Sequence, residues 1–441
     1  MVRPSVSGIL VVASFLVHGT AIGVGSPRSR HHPARPATPV HMEQIVEEYV
    51  EVPLDHFGEN DDTFLNRFWV AESGYKWGGP VFIYDEGEAD ASMSALDTLQ
   101  DSTFMFKQLV DRFGGIGIVW EHRFYGSSTP VKIDSSTPAE AFRYLTTEQS
   151  LADVKTFADQ FHRLNFPDVD LTPLGTPWVF VGSSYSGARA AFMRNIYPET
   201  IYASFASSAP VEARIDMSAY WEAVYRGMEA SGWGNCTKDI HAAVVYMDKI
   251  MGDAVEAADL KIKFLGRGAD RQPNTVFAGA MKIMFDGWQD FGIGGSLRSF
   301  CDWLETDPTT TLTATADGWA AIKGVESVVD RWADWPVWTT MVNSYLMAAC
   351  EGLVQGNETA ADCNLNHRST DPSNISWAWQ YCTQWGKHTF YNIITSRCVT
   401  RRRPTDLFQS IKKCCDSPHD FIQEGNGEVA TANLSLLIII F

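Results

Sequence analysis

The chain has 441 residues, 45% of them hydrophobic and 20% charged, enough apolar material for one large domain with an insertion or for two ordinary domains. A formal net charge of -18 argues against nucleic acid as a partner, because gripping a phosphate backbone needs a basic face. An acidic surface serves solubility instead, and it would shed charge as carboxylates protonate in an acidic compartment.

At the N-terminus Arg3 precedes an apolar run over residues 8–17 that continues through 21–24 among small residues. A basic start, a short apolar stretch and a small-residue end predict a signal peptide over 1–25, too short to anchor in a bilayer. Residues 26–43, rich in Arg, His and Pro, read as a flexible leader. Four Asn-x-Ser/Thr sequons at Asn235, Asn357, Asn374 and Asn433 fit glycosylation along a secretory route. The eight cysteines, all at or beyond Cys236, fit disulfides in an oxidising compartment, with a pairing that the sequence leaves open. They show no Cys-x-x-Cys pair of the metal-binding kind, so neither metal nor cofactor is expected.

From 44 to 213 the chain alternates short apolar runs (81–84, 116–120, 178–181) with a helix-like stretch over 139–161. Buried strands of a parallel sheet have that character, so an α/β core is expected. From 214 to 395 the pattern turns helical: Ile240, Val244, Met247 and Met251 share one face, and tryptophans crowd the segment. This predicts a mainly helical cap inserted into the core, its Trp and Met stripes serving chiefly as core and in part as a pocket lining. Residues 396–441 match neither pattern, and their closing apolar run is too short to span a membrane.

The chemistry concentrates in Trp178-Val-Phe-Val-Gly182-Ser183-Ser184-Tyr185-Ser186-Gly187. An apolar strand enters a turn of small residues and leaves as a helix, the setting of a nucleophile elbow. Ser184, two residues after Gly182, is the candidate nucleophile, with Ser183 and Ser186 as rivals. The Tyr185 backbone N–H at the helix start would face a developing oxyanion. A second donor is expected in the turn after strand 81–84, at Gly87 or Glu88.

These residues resemble the family of lysosomal Pro-X carboxypeptidase, dipeptidyl peptidase II and thymus-specific serine protease, whose elbow is similar to 182–187. Further landmarks follow in the same order: Val52-Pro-Leu-Asp-His-Phe57, Phe68-Trp-Val70, Glu121-His-Arg-Phe-Tyr-Gly126, Thr147-Glu-Gln-Ser-Leu-Ala-Asp153, Ala206-Ser-Ser-Ala-Pro210 and Trp379-Gln-Tyr-Cys-Thr383. The resemblance covers about 50 to 390 and, in its serine before Gly187, looks like fungal members. It implies an α/β-hydrolase core with a helical insertion, and a secreted or vacuolar/lysosomal serine peptidase. Its substrate would be a proline-containing peptide, cut near one terminus; a homodimer is left open. In this family the segment holding Glu121 and His122 follows a core strand outside the triad, so His122 is expected to have a structural or pocket-shaping role.

A serine needs a histidine to take its proton and a carboxylate to orient that histidine. The family's acid motif, Asn-Gly-x-x-Asp-Pro-Trp, and its His-Cys motif are not found. Asn426-Gly427-Glu428 begins the first, but Ala430 occupies the Asp position. After Ser184 the histidines are His241, His367, His388 and His419, of which His419, near Asp416 and Asp420, falls late enough. This pattern suggests that the C-terminal part of the core is missing, and predicts a chain of low stability and weak activity. Two other classes remain: a catalytically inactive hydrolase-like glycoprotein that binds peptides or partners, and a lipase or esterase.

Overall fold

A computed structural model describes residues 45–212, 218–352, 363–365 and 369–384. They fall into two compact units, one of 45–212 with 369–384 and the other of 218–352 with 363–365. The expected signal peptide, leader and tail lie outside the described residues, as do Asn357, Asn433, His367, His388 and His419.

The first unit is built on a six-stranded sheet in the order β1-β2-β4-β3-β5-β6. Its strands are β1 (Glu47–Pro53), β2 (Thr63–Ala71), β3 (Val81–Asp85), β4 (Ile116–Trp120), β5 (Trp178–Ser183) and β6 (Ala203–Ser207). β1 and β2 pair antiparallel, β2 runs antiparallel to β4, and β4, β3, β5 and β6 are mutually parallel. The continuous apolar runs make the inner strands: every residue of β4 is buried, as are Val81, Phe82 and Ile83 of β3. β1 instead alternates exposed and half-buried residues and carries Glu47, Glu48 and Glu51, charges that discourage pairing at an open edge. Layers form on the two sheet faces around Phe68, Trp120, Phe157 and Trp178, and around Phe82, Leu99, Phe106 and Val119. This is the α/β-hydrolase arrangement.

The chain leaves β3 for β4 on one flank and later adds β5 on the other. The order of strands therefore reverses at β3, and the crevice at the carboxyl ends of β3 and β5 is where such a sheet admits a ligand. The helix Pro372–Thr383, which the sequence pattern assigns to the insertion, groups instead with this sheet unit. Pro372 fits its first turn, where no backbone donor is needed. Asp371 caps it by accepting the Asn374 N–H at 3.0 Å.

The second unit is mainly helical. Ile240, Val244 and Met247 are buried along helix Gly234–Ile250, with Met251 partly so. Trp332, Trp335 and Trp338 are buried inside this unit, and Trp332 meets Phe300 and Trp338 at ring distances of 5.2 and 6.1 Å. These tryptophans are core. Disulfides join Cys236 to Cys301, tying helix Gly234–Ile250 to helix Gly295–Glu305, and Cys350 to Cys363. Among the described residues no helix is long and apolar enough to cross a membrane.

Candidate active site

β5 ends at Ser183, and the helix Tyr185–Ile196 begins two residues later. Ser184 makes the turn alone, with φ 57° and ψ -125°. That conformation is sparsely used by residues with a side chain. It is held by the Ser184 N–H, which donates to the Ser207 carbonyl at 3.0 Å, and by the Ser184 carbonyl, which accepts from the Ala188 N–H at 3.0 Å. Ser184 is exposed, while Gly182, Tyr185 and Ser186 around it are buried. Such a turn lifts the hydroxyl clear of the sheet and brings the helix N-terminus beside it.

The small residues of the motif have a steric reason. A Cβ on Gly182 would stand 2.2 Å from the Ser186 carbonyl oxygen, and one on Gly187 would stand 2.4 Å from that of Ser207. Strand and helix can approach this closely without side chains at either position. The rival Ser186 is committed elsewhere: its Oγ donates to the Ser183 carbonyl at 2.7 Å and accepts from the Ser183 N–H at 3.0 Å.

The turn after β3 lies against this elbow. Gly87 has φ +73°, and a Cβ there would meet the Ser186 Cβ at 3.3 Å. Its N–H, however, donates to Asp85 Oδ1 at 3.2 Å. Gly87 thus supplies close approach, and its amide is occupied. The neighbouring Glu86 is mostly buried, and its carboxyl is pushed up to about 7 by that burial and by the charges of Asp85, Glu121 and Glu88. Ser94 beside it moderates the shift, although neither Glu86 Oε2 nor Ser94 Oγ completes a hydrogen bond of good geometry.

Two residues unremarked in the sequence join turn and elbow. The Asp85 carboxylate at the end of β3 is paired with Arg189 of the elbow helix, both fully buried. Arg189 Nη2 also donates to the Ser150 carbonyl at 2.9 Å, so one guanidinium links β3, the elbow helix and helix Thr147–Gln160. Burial raises the Asp85 carboxyl, and Arg189 opposes that rise. An arginine in an otherwise small and apolar helix turn, Gly187-Ala-Arg-Ala-Ala, was the available signal.

The side chains of Glu121, His122 and Arg123 are tied into the sheet unit by hydrogen bonds. Glu121 accepts from Arg67 Nη2 at 2.7 Å, from the Ser127 and Ser128 amides at 3.0 Å each, and from Ser128 Oγ at 2.7 Å. Arg123 binds Asp153 through two 2.6 Å bonds, and a side chain on Gly126 would collide with Glu121. His122 has no exposed surface; burial, with Arg189 and Arg123 nearby, holds its imidazole well below the usual histidine range. Its Nδ1 lies 2.6 Å from the Arg123 carbonyl and its Nε2 lies 3.0 Å from Tyr185 Oη. A neutral ring with both nitrogens engaged has no capacity left to take a serine proton.

The other described histidines of this unit are His56, bound to Asp153 at 2.7 Å, and His162, near the Gln160 carbonyl at 3.0 Å. After Ser184, His241 is the one described histidine, on helix Gly234–Ile250 of the helical unit, its ring against Tyr225. The candidate acids Asp416 and Asp420 lie outside the described residues. Of the sequons, Asn235 is half-buried in a helix with its Thr237 hydroxyl bonded to the Trp233 carbonyl at 2.8 Å, and Asn374 is exposed.

A family model described as serine carboxypeptidase S28 matches residues 52–417. The chain belongs to that family. The match extends past Thr383 into the stretch 396–441, as far as residue 417. A probable extracellular serine carboxypeptidase of Arthroderma benhamiae is 29% identical over 366 residues, covering 76% of this chain and 49% of the relative. The human thymus-specific serine protease is 30% identical, with 58% of this chain and 50% of the relative covered. A mouse lysosomal Pro-X carboxypeptidase is 28% identical, with 55% and 49% covered. The chain thus spans about half the length of these curated relatives.

Proposed function

We propose that this S28 chain is a secretory-route serine exopeptidase that cleaves peptides next to proline through an acyl-enzyme on Ser184. The observation that carries this reading is an exposed serine in a strained strand-to-helix turn, with Gly182, Tyr185 and Ser186 buried around it. Ser184 Oγ would attack the carbonyl carbon, its proton passing to a base, and the oxyanion would form at the helix N-terminus. The Tyr185 amide is the first donor. Because the Gly87 amide is turned to Asp85, the Glu88 amide is the second donor.

Substrate class comes by analogy with the relatives. A mouse relative is described as a Pro-X carboxypeptidase, and proline's fixed φ makes it a compact group for an aromatic surface to hold. Trp377, half-buried with its ring 5.4 Å from that of Tyr185, offers such a surface beside the elbow. An acidic anchor such as Glu86 or Glu88 would suit a substrate amine and cleavage counted from the N-terminus, whereas a cation would suit the terminal carboxylate that a carboxypeptidase recognises. Passage through the secretory pathway agrees with the two disulfides and with an extracellular relative, since such bonds persist in oxidising compartments.

A second reading has its own observation. His56, His122 and His162, the histidines described in the sheet unit, each have a partner other than Ser184, and a hydrolase-like protein that binds peptides without turnover is the reading in which no other histidine serves Ser184. A fluorophosphonate probe separates the two. The exopeptidase reading expects labelling of the wild-type chain at Ser184, none in Ser184→Ala, and hydrolysis of X-Pro substrates blocked at one end. A wild-type chain that is folded yet unlabelled would sink that reading and leave the binding one.

A further inference from the structure

Helix Pro372–Thr383 returns to the sheet unit and places Gln380 among three buried groups from distant parts of the sequence. Tyr125, Gln380, Tyr185 and His122 are all within 1% of complete burial. Gln380 Nε2 donates to Tyr185 Oη at 2.7 Å, and Tyr125 Oη donates to Gln380 Oε1. Tyr185 Oη lies 3.0 Å from His122 Nε2, and His122 Nδ1 lies 2.6 Å from the Arg123 carbonyl.

One end of this chain sets its direction. A backbone carbonyl can only accept, so His122 Nδ1 carries the proton and Nε2 is an acceptor. Tyr185 must then donate to His122 and accept from Gln380. The Gln380 amide is thereby oriented with its carbonyl towards Tyr125, which donates to it. Each donor meets one acceptor, with no reversal. Burial keeps both phenols protonated, Tyr185 being pushed up to about 12, and keeps His122 neutral.

Tyr185 is the first residue of the elbow helix and directly follows the strained Ser184. A backbone in a sparsely populated conformation persists only when its surroundings over-determine it. The Tyr185 side chain is held by its hydrogen bonds to Gln380 and His122, with the Thr147 side chain also against its hydroxyl, and by the rings of His122 at 5.6 Å and Trp377 at 5.4 Å. Helix Pro372–Thr383 supplies one of those bonds and one of those rings.

We propose that Gln380 is a positioning residue for the elbow: by fixing the Tyr185 side chain within a one-way hydrogen-bond chain, it holds the Tyr185 amide and Ser184 in reactive geometry. The proposal rests on Ser184 as the nucleophile, and its test separates the two ideas. Gln380→Met keeps the shape and removes both hydrogen bonds. Gln380→Glu can replace the amide while its carboxyl is protonated, because a carboxylic acid offers one donor and one acceptor. Once ionised it can only accept, and the chain can no longer run from Tyr125 to His122.

The full chain would be assayed for fluorophosphonate labelling of Ser184 from acidic to alkaline pH, with hydrogen exchange read over residues 180–196. We expect Gln380→Met to label about 10- to 100-fold more slowly at every pH, the scale of a misplaced reacting group. Gln380→Glu should approach wild type in acid and fall towards Gln380→Met as pH rises. Elbow amides should exchange roughly tenfold faster in Gln380→Met, with helix Met105–Phe113 unchanged. If Gln380→Met does not fold, Tyr125→Phe, which removes one donor and no bulk, takes its place in both measurements. Unchanged elbow exchange would overturn the proposal, as would a Gln380→Glu profile parallel to wild type. If the wild type never labels yet elbow exchange rises selectively in the variant, the positioning role stands and the nucleophile assignment falls.

Discussion

The α-carbon of Gly182 faces the main-chain carbonyl of Ser186 so closely that a Cβ at residue 182 would stand 2.2 Å from that oxygen. Backbone on backbone leaves no flexible side chain to move aside. Gly182→Ala must therefore push β5 away from the elbow helix. Overpacking of this kind destabilises by about 2–3 kcal/mol, and a urea titration against wild type should show it. Labelling of Ser184 should fall as well, because the same displacement opens the turn.

Ser184 pays in backbone strain for its exposure. At φ 57° and ψ -125°, a glycine would sit without a Cβ penalty, and such strained residues carry roughly 1–3 kcal/mol. Ser184→Gly should therefore be more stable than wild type by about 1 kcal/mol and wholly unreactive towards fluorophosphonate. A thermal midpoint below that of wild type would show that the serine is not strained in its turn.

The Asp85–Arg189 pair is completely buried. Arg189→Met leaves a carboxylate without its counter-charge and should cost about 3–5 kcal/mol, whereas Asp85→Leu with Arg189→Met should recover most of the loss. Burial already raises the Asp85 carboxyl, and removing Arg189 raises it further. An acid with a raised folded pKa binds its proton more tightly when folded, so the single variant loses stability as pH rises. Urea unfolding at acidic and neutral pH, compared among the three proteins, reads both effects.

In the helical unit Glu305 is buried beside the Asp239 and Asn235 side chains, and neither of its carboxylate oxygens completes a hydrogen bond of good geometry to them. Asp239 accepts the amides of Trp319 and Ala320 at 2.6 and 2.8 Å. Burial, then the Asp239 charge, pushes the Glu305 carboxyl up to about 8. Between its unfolded value of about 4.3 and about 8, the folded state holds a proton that the unfolded state has released. Stability contributed here is present in acid and is lost as pH climbs to about 8. The thermal midpoint should fall over that window, and Glu305→Gln should flatten the fall. An identical slope in the variant would place the pH sensitivity elsewhere.

Much of the elbow was legible because its requirements are local. Small residues must stand where strand meets helix, so Gly182, Ser184 and Ser186 can be read from the motif together with the apolar strand before it and the helix after it. The turn at Gly87 was found as a strand end with a glycine, but the direction of its amide was not. That direction depends on Asp85, whose carboxylate folds back upon the turn. The structural role of His122 was anticipated, while its partner was not: Tyr185 is 63 residues away. The helix Pro372–Thr383 was assigned to the insertion by its tryptophans and by the resemblance of Trp379–Thr383 to a motif of the family's helical insertion, and its own sequence carries no mark of the sheet unit it joins.

By itself the sequence determined three inner strands, at 81–84, 116–120 and 178–181, the strand–turn–helix course around Ser184 and the helical character of the second unit, because apolar runs and glycine steric demands are carried by residues close together in the chain. Tertiary structure decided which groups face the elbow. Arg189 meets Asp85 across 104 residues and Gln380 meets Tyr185 across 195. Polar side chains buried together must satisfy one another, and no local pattern says which distant partner will do so.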